Sequence, residues 1–466
     1  MLSVRDTAGR MGRRDFLRVG TLGLGGWTLA DLLALQASGA TTNAPPLTGR
    51  SVVFLFLHGG PSQIETFDPK MDAPAEVRSA TGEIATSIPG VTFGSSFPRL
   101  ASLAQRLSIV RSYRTGDGNH DIKPIVSRQS LGANLGSLYA RVAGSNNPKT
   151  GMPTNAALFP RAVDASTQPA NFGFGKFDSS GALGSAFAPF VPGGGGNLQK
   201  DMELALRPDR FDDRRNLLKG LDQIKRSIDS RGSLDGVDRF QEQAFQTILG
   251  GVSTAFDLTR EDAATVARYD TAPLVRPDQI SRKWNNYNNY VDNAKSLGKL
   301  MLLARRLCES GCGFVTVTTN FVWDMHADVN NATMEEGMQY MGGPLDHAVS
   351  AFLEDVDARG LSDKILLVVS GEMGRTPRLN KNGGRDHWGG LSPLLVAGGG
   401  LKMGQVVGQS TRDAGEPLSE PQGIENLQAT IMQSLMRLGE VRLMPGLPTD
   451  VIRTLTSSSP IPGLTT

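Results

Sequence analysis

Five histidines are spread over 466 residues, and four of them stand in short polar motifs beside acids, amides or glycines. In WDMHAD, Asp324 and His326 are two residues apart, so an extended or turning loop can aim both at one ion. A carboxylate with an imidazole suits zinc, manganese or iron. GEMGR sets Glu372 three residues before Arg375. The carboxylate can bind a cation, and the guanidinium suits a phosphate or sulfate through paired contacts. GRDHWGG supplies adjacent Asp386 and His387 on a glycine-rich loop that can approach a ligand closely, and GNHD supplies His120. HGG begins at His58, and its glycines either bring backbone close to a ligand or simply make a tight turn. The fifth, His347, lies off the apolar stripe of its helix and reads as a solvated surface residue.

Each motif alone is as well explained by a turn, a cap or a solvated loop. What joins them is position. SVVFLFL (51–57), LSIVRSY (107–113), GFVTVTT (313–319) and KILLVVS (364–370) are short apolar runs rich in β-branched residues, as expected of strands buried on both faces. His58 and His120 follow the first two, WDMHAD the third and GEMGR the fourth; GRDHWGG precedes a further strand in LSPLLVAGGG. In an open parallel α/β sheet, ligands sit beyond the carboxyl ends of the strands. Helices are expected before Gly144, in SLGKLMLLARRLCESG and in PLDHAVSAFLEDVDARG, the last with Leu345, Ala348, Val349, Phe352, Leu353 and Val356 on one face. Residues 145–290 read as an insertion of loops and helices. They hold a Gly/Pro-punctuated tract and a helical pattern at Leu217, Leu218, Leu221, Ile224 and Ile228.

The first forty residues read differently. MGRRDFLRVG pairs Arg13 with Arg14 and continues with Asp15, Phe16 and Leu17; a Gly-rich, weakly apolar stretch follows, with Ser38 and Ala40 before TTNAPP. This is the pattern of a twin-arginine signal peptide over residues 1–40, the alternative being an amphipathic helix. It predicts the twin-arginine translocase as an export partner and a periplasmic or extracellular location. The apolar part is too short for a membrane span, which needs roughly 20 residues. Residues 41–466 are then a single α/β domain. The whole chain carries a net charge of +2. Arg5, Arg10, Arg13, Arg14 and Arg18 against Asp6, Asp15 and Asp31 account for all of it, so nothing in the remainder attracts nucleic acid. Cys308 and Cys312 lack the second pair of a zinc site and read as buried thiols rather than a disulfide.

LHGGPSQIETFDPK, DLTRED, LLARRLCESG, WDMHAD, SGEMGRTPRLNKNGGRDHWG and LLVAGGGLKMGQVVG occur in an order that resembles domain-of-unknown-function family 1501. These are secreted bacterial proteins related to the sulfatase and alkaline-phosphatase superfamily. The resemblance implies a three-layer, alkaline-phosphatase-like α/β sandwich, with a mostly parallel sheet and helices on both faces. It also implies a divalent ion at the strand ends, zinc first, with calcium or manganese as alternatives. Thr115 with Asn119 and His120 is similar to the nucleophile segment of phosphodiesterase members, at a spacing one residue longer. Thr115 or a water would attack, and Asn119 and Arg375 would hold equatorial oxygens. His58, Asp324, His326, Glu372, Asp386 and His387 are the implied metal ligands, with Asp324, His326, Asp386 and His387 meeting at one point. Met373 stands where the superfamily has a ligand histidine. Two functions follow: a hydrolase of small-molecule or glycan phosphate or sulfate esters, or a non-catalytic binding or accessory protein with a degenerate site.

Overall fold

SVVFLFL becomes β1 (Ser51–Phe56), and its alternation decides the layering. Successive strand residues point to opposite faces. Val53, Leu55 and Leu57 enter one apolar cluster, and Val52, Phe54 and Phe56 enter another. The same split holds in β4 (Phe314–Thr318), β5 (Ile365–Ser370) and β6 (Leu394–Gly398). The sheet is completed by β2 (Ser108–Val110), β3 (Asn155–Leu158) and β7 (Gln405–Val407), in the order β7-β2-β6-β5-β1-β4-β3. All neighbours are parallel except β6, which runs antiparallel to both β2 and β5. This computed structural model describes residues 5–6, 9–10, 45–193 and 252–465. The expected signal segment (apart from a two-residue ladder pairing Arg5–Asp6 with Gly9–Arg10) and the expected helical pattern at 217–228 lie outside the described residues.

One face carries α3 (Tyr287–Glu309) and α4 (Met334–Ala358), which bury Leu297, Leu300, Leu303, Met338, Leu345 and Phe352 against the sheet. The other carries α1 (Leu135–Ala143), α5 (Ile424–Leu435) and α6 (Thr449–Thr456). This is the expected three-layer α/β arrangement. The short α2 (Ala263–Tyr269) abuts α3 at Gly298, where any Cβ would fall 1.6 Å from the Tyr269 carbonyl oxygen. No helix among the described residues is long and apolar enough to cross a membrane.

Several boundaries differ from expectation, each for a physical reason. Asn155–Leu158, inside the stretch that reads as an insertion, is the edge strand of the main sheet, paired with β4 from Asn155↔Phe314. Four residues rich in alanine between prolines carry little strand signal. Helix α4 starts ten residues before Pro344, capped by the Thr333 side chain on the Glu336 N–H. A proline reads as a helix start because it lacks the interior N–H, but buried Met334, Met338 and Met341 continue the apolar face upstream. Between Tyr113 and Gly144 the only α-helix among the described residues is Leu135–Ala143, starting from the Asn134 cap. His347 is half-buried rather than solvated: Arg99 Nη1 donates to its Nδ1 at 2.8 Å, and its Nε2 donates to the Arg268 carbonyl at 2.8 Å. Cys308 and Cys312 are buried and unbridged.

Candidate metal centre

The carboxyl ends of β1, β4 and β5 lie side by side, so the segments leaving them must share one small space. Gly59 makes this possible. It sits at φ +115, and a Cβ there would lie 2.5 Å from the Asp324 backbone nitrogen. The His58 carbonyl accepts from the N–H groups of Val322 and Trp323 at 3.1 and 3.0 Å, tying the exit of β1 to the loop that carries Asp324. After β5, Glu372 Oε1 accepts from the Gly59 N–H at 2.8 Å. Two residues later, Gly374–Arg375 pairs antiparallel with His387–Trp388, with Arg375 opposite His387.

His120, Asp324 and His387 converge, their ligand atoms all within 4.8 Å of one another. Asp324 Oδ1 lies 3.1 Å from His387 Nε2 and 3.5 Å from His120 Nε2, and the two nitrogens are 3.0 Å apart. Ligands at about 2.1 Å around a tetrahedral ion stand roughly 3.4 Å from each other, so these separations fit one zinc-sized ion. The surroundings fit too. His120 Nδ1 donates to Glu372 Oε1 at 3.0 Å, so that in the neutral ring the Nε2 lone pair faces the triad. A carboxylate behind a ligating imidazole fixes its tautomer and raises its basicity. Asp324 Oδ2 accepts from Asn331 Nδ2 at 3.0 Å and meets His326 Nε2 at 3.0 Å. Burial alone would raise the Asp324 pKa, but Arg375 and hydrogen bonds from His120, His326 and His387 hold it far below the usual carboxylate range. His120 is opposed by burial, yet its bonds to Asp324 and Glu372 prevail and raise its pKa.

The remaining expected residues divide. His326 is at the centre but faces the second oxygen of Asp324, its ring 5.5 Å from that of His387. Asp386 does not join: it is exposed and accepts from Asn380 Nδ2 at 3.0 Å, pointing away from its neighbour His387. Thr115 is buried with no hydrogen-bond partner on its hydroxyl, whereas Asn119 is exposed. Arg375, expected to grip an oxyanion, is fully buried and committed. Its Nε donates to the Gly60 carbonyl at 2.7 Å, Nη1 to the Arg385 carbonyl at 3.2 Å, and Nη2 to the Gly59 carbonyl and, at 2.6 Å, to Asp324 Oδ1. It braces the triad carboxylate instead of facing a ligand.

His58 is buried among Phe56, Phe174, Phe177 and Phe321, with neither ring nitrogen hydrogen-bonded. Burial pushes its pKa down to about 4. The folded protein therefore binds this proton more weakly than the unfolded chain, so stability is full above about pH 6.5 and falls as pH drops toward 4. The fall should reach about 3 kcal/mol. In chelator, the urea midpoint of the wild type should drop between pH 7 and pH 4.5 more than that of His58→Phe, which keeps the aromatic packing without the titration. Parallel pH profiles would refute this.

Three residues of the centre carry no signal in sequence. Asn331 is one of several asparagines in a loop. Glu65 and Arg385 form a wholly buried ion pair, at 3.1 and 3.0 Å from Arg385 Nε and Nη2 to Glu65 Oε1, which anchors the loop carrying His387.

Comparison with solved structures gives distant similarities. One is the crystal structure of Ps i-CgsB in complex with k-i-k-neocarrahexaose, at 9% identity and TM-score 0.35, covering 89% of this chain and 75% of that one. Another is the PsFucS1 sulfatase from Pseudoalteromonas sp., at 10% identity and TM-score 0.34, covering 86% and 70%. A third is the phosphonate monoester hydrolase SpPMH from Silicibacter pomeroyi, at 11% identity and TM-score 0.30, covering 88% and 77%. No curated protein matches the chain. The sequence profile described as "Protein of unknown function (DUF1501)" matches residues 49–445, from just before β1 to beyond α5, and so takes in every residue of the triad. The chain belongs to that family.

Proposed function

We propose that this protein is an exported, metal-dependent hydrolase of phosphate or sulfate esters. The observation that carries the reading is the convergence of Asp324 Oδ1, His120 Nε2 and His387 Nε2, with Glu372 behind His120. Two imidazoles and one carboxylate suit zinc, with manganese as the alternative; calcium prefers an all-oxygen set. When bound, a divalent ion polarises an ester oxygen and stabilises developing negative charge. The chain's own groups supply the rest. Glu372 holds the Nδ1 proton of His120, and Arg375 fixes Asp324. The side chain of His387 is 36% exposed, which leaves the triad open to solvent on one side. The Thr115 hydroxyl, free of other bonds, is the candidate nucleophile, with water as the alternative. Net hydrolysis adds water across the ester, so the alcohol departs with a proton; a monoester releases inorganic phosphate or sulfate, and a phosphodiester releases a phosphate monoester. The paired Arg13 and Arg14 support passage through the twin-arginine translocase to the periplasm or beyond.

One observation favours a second reading, a binding or accessory protein without turnover: Arg375 is wholly engaged and unavailable to hold an oxyanion. Elemental analysis followed by a panel of aryl phosphate, phosphodiester and aryl sulfate separates the two. The hydrolase reading expects about one zinc or manganese per chain and turnover of at least one ester. Chelation, or His387→Ala, should then lower that turnover by on the order of 100-fold. Metal without turnover on any ester leaves the accessory reading; no retained metal refutes the hydrolase reading.

A further inference from the structure

Phe174 is 40% exposed, although its ring stacks on Phe321 at 4.4 Å and lies 5.2 Å from the ring of His120. We propose that Phe174 is the platform for a ring in the organic part of the ester, whose apolar face lies on the phenyl while its anion reaches His120 and His387. The proposal rests on the hydrolase reading and adds the class of substrate: esters of cyclic alcohols, aryl or pyranose, over esters of small acyclic ones.

Three features support it. First, the phenyl is held, not dangling. The Asn171 N–H donates to Asn320 Oδ1 at 3.1 Å, Asn320 Nδ2 to the Pro169 carbonyl at 3.2 Å, and the Gly173 N–H to Asn171 Oδ1 at 2.8 Å. Gly175, at φ +146, lies so close to Ile122 that a Cβ would come within 2.6 Å of it. Second, the ring is backed on its inner side, because Phe321 and His58 lie against it and His58 in turn meets both Phe177 and Phe321 edge to face. Third, Phe172 on the same loop is 38% exposed and packs on Phe159, so the loop presents a second, supported ring to solvent. A fixed, flat, apolar surface directly beside a charged centre matches a ligand with a ring at one end and an anion at the other.

The test is calorimetric binding to the zinc-loaded protein, so it needs no turnover. Phenylphosphonate should bind about tenfold more tightly than methylphosphonate, the scale expected for covering part of one phenyl face. In Phe174→Ala that ratio should fall to about one, and Phe174→Leu, which keeps apolar area without the flat face, should lie between. Glucose 6-sulfate distinguishes the source of the ring: a comparable loss of its affinity in Phe174→Ala assigns a pyranose face, and its indifference assigns an aryl one. A ratio of one in the wild type, or an unchanged ratio in Phe174→Ala, overturns the proposal and leaves the hydrolase reading standing. If none of the anions binds, the ester-site reading falls and takes this inference with it.

Discussion

Asp324→Ala should both empty the metal centre and destabilise the fold by about 3–5 kcal/mol. The side chain of Asp324 is 5% exposed and that of Arg375 is 0% exposed, and their contact at 2.6 Å is the only ion pair of Arg375 among the described residues. Removing the carboxylate leaves a fully buried guanidinium with no counter-charge. Breaking a buried pair from one side is far costlier than its net worth as a pair, because the remaining charge keeps its desolvation penalty. The same change removes the acceptor of Asn331 and the shared oxygen of His120 and His387. Urea unfolding and metal content should therefore fall together. Asp324→Asn, which retains the shape and one acceptor, should lose the metal with a smaller loss of stability. A loss below about 1 kcal/mol in Asp324→Ala would mean that the surrounding carbonyls alone satisfy Arg375.

Glu65→Gln should be nearly as damaging, at about 3 kcal/mol or more, although it changes one atom and lies outside the triad. Every partner of Glu65 donates: Ser79 Oγ at 2.7 Å, the N–H of Ala80 at 3.1 Å and of Thr81 at 3.3 Å, the Thr81 hydroxyl, and Arg385. An ionised carboxylate only accepts, whereas an amide must turn two N–H groups toward those donors. Arg385 would then sit buried without a counter-charge, though it also donates to the carbonyls of Val77 and Arg78. Because Arg385 precedes His387 by two residues, metal affinity should fall as well. A Glu65→Gln variant with wild-type melting temperature and metal affinity would show that His387 is placed by its own short ladder to Gly374–Arg375.

The parts of this architecture that were legible beforehand are those written in local pattern. SVVFLFL and KILLVVS announce buried strands because an unbroken run of β-branched and aromatic residues has few other uses, and the polar motifs after them sit where strand ends deliver them. Asp324, His326 and His387 could be grouped on that basis alone. What pattern could not show is direction and partnership. Asp386 and His387 are adjacent, yet one faces the triad and the other Asn380. Arg375 has the chemistry to hold an oxyanion and is consumed by Asp324 and four carbonyls. His120 stood out as part of a nucleophile segment and stands in the ligand triad. Glu65 pairs with Arg385 across most of the chain, a distance over which no spacing rule operates.

The strand order also bears on how the protein comes to be made. β1 is central, hydrogen-bonded along its whole length to β4 and β5, with Val52 opposite both Phe314 and Leu366. On a ribosome adding about 5–20 residues per second, the first of these strands leaves the tunnel on the order of tens of seconds before its second partner exists. Through that interval SVVFLFL is an unpaired, uncharged, aromatic-rich segment of the kind that self-associates. A nascent chain of this topology carries that strand without its partners until residues 314–370 have been made. If the proposed passage through the twin-arginine translocase takes the chain already folded, this wait is endured once, before export, and never repeated on the far side of the membrane.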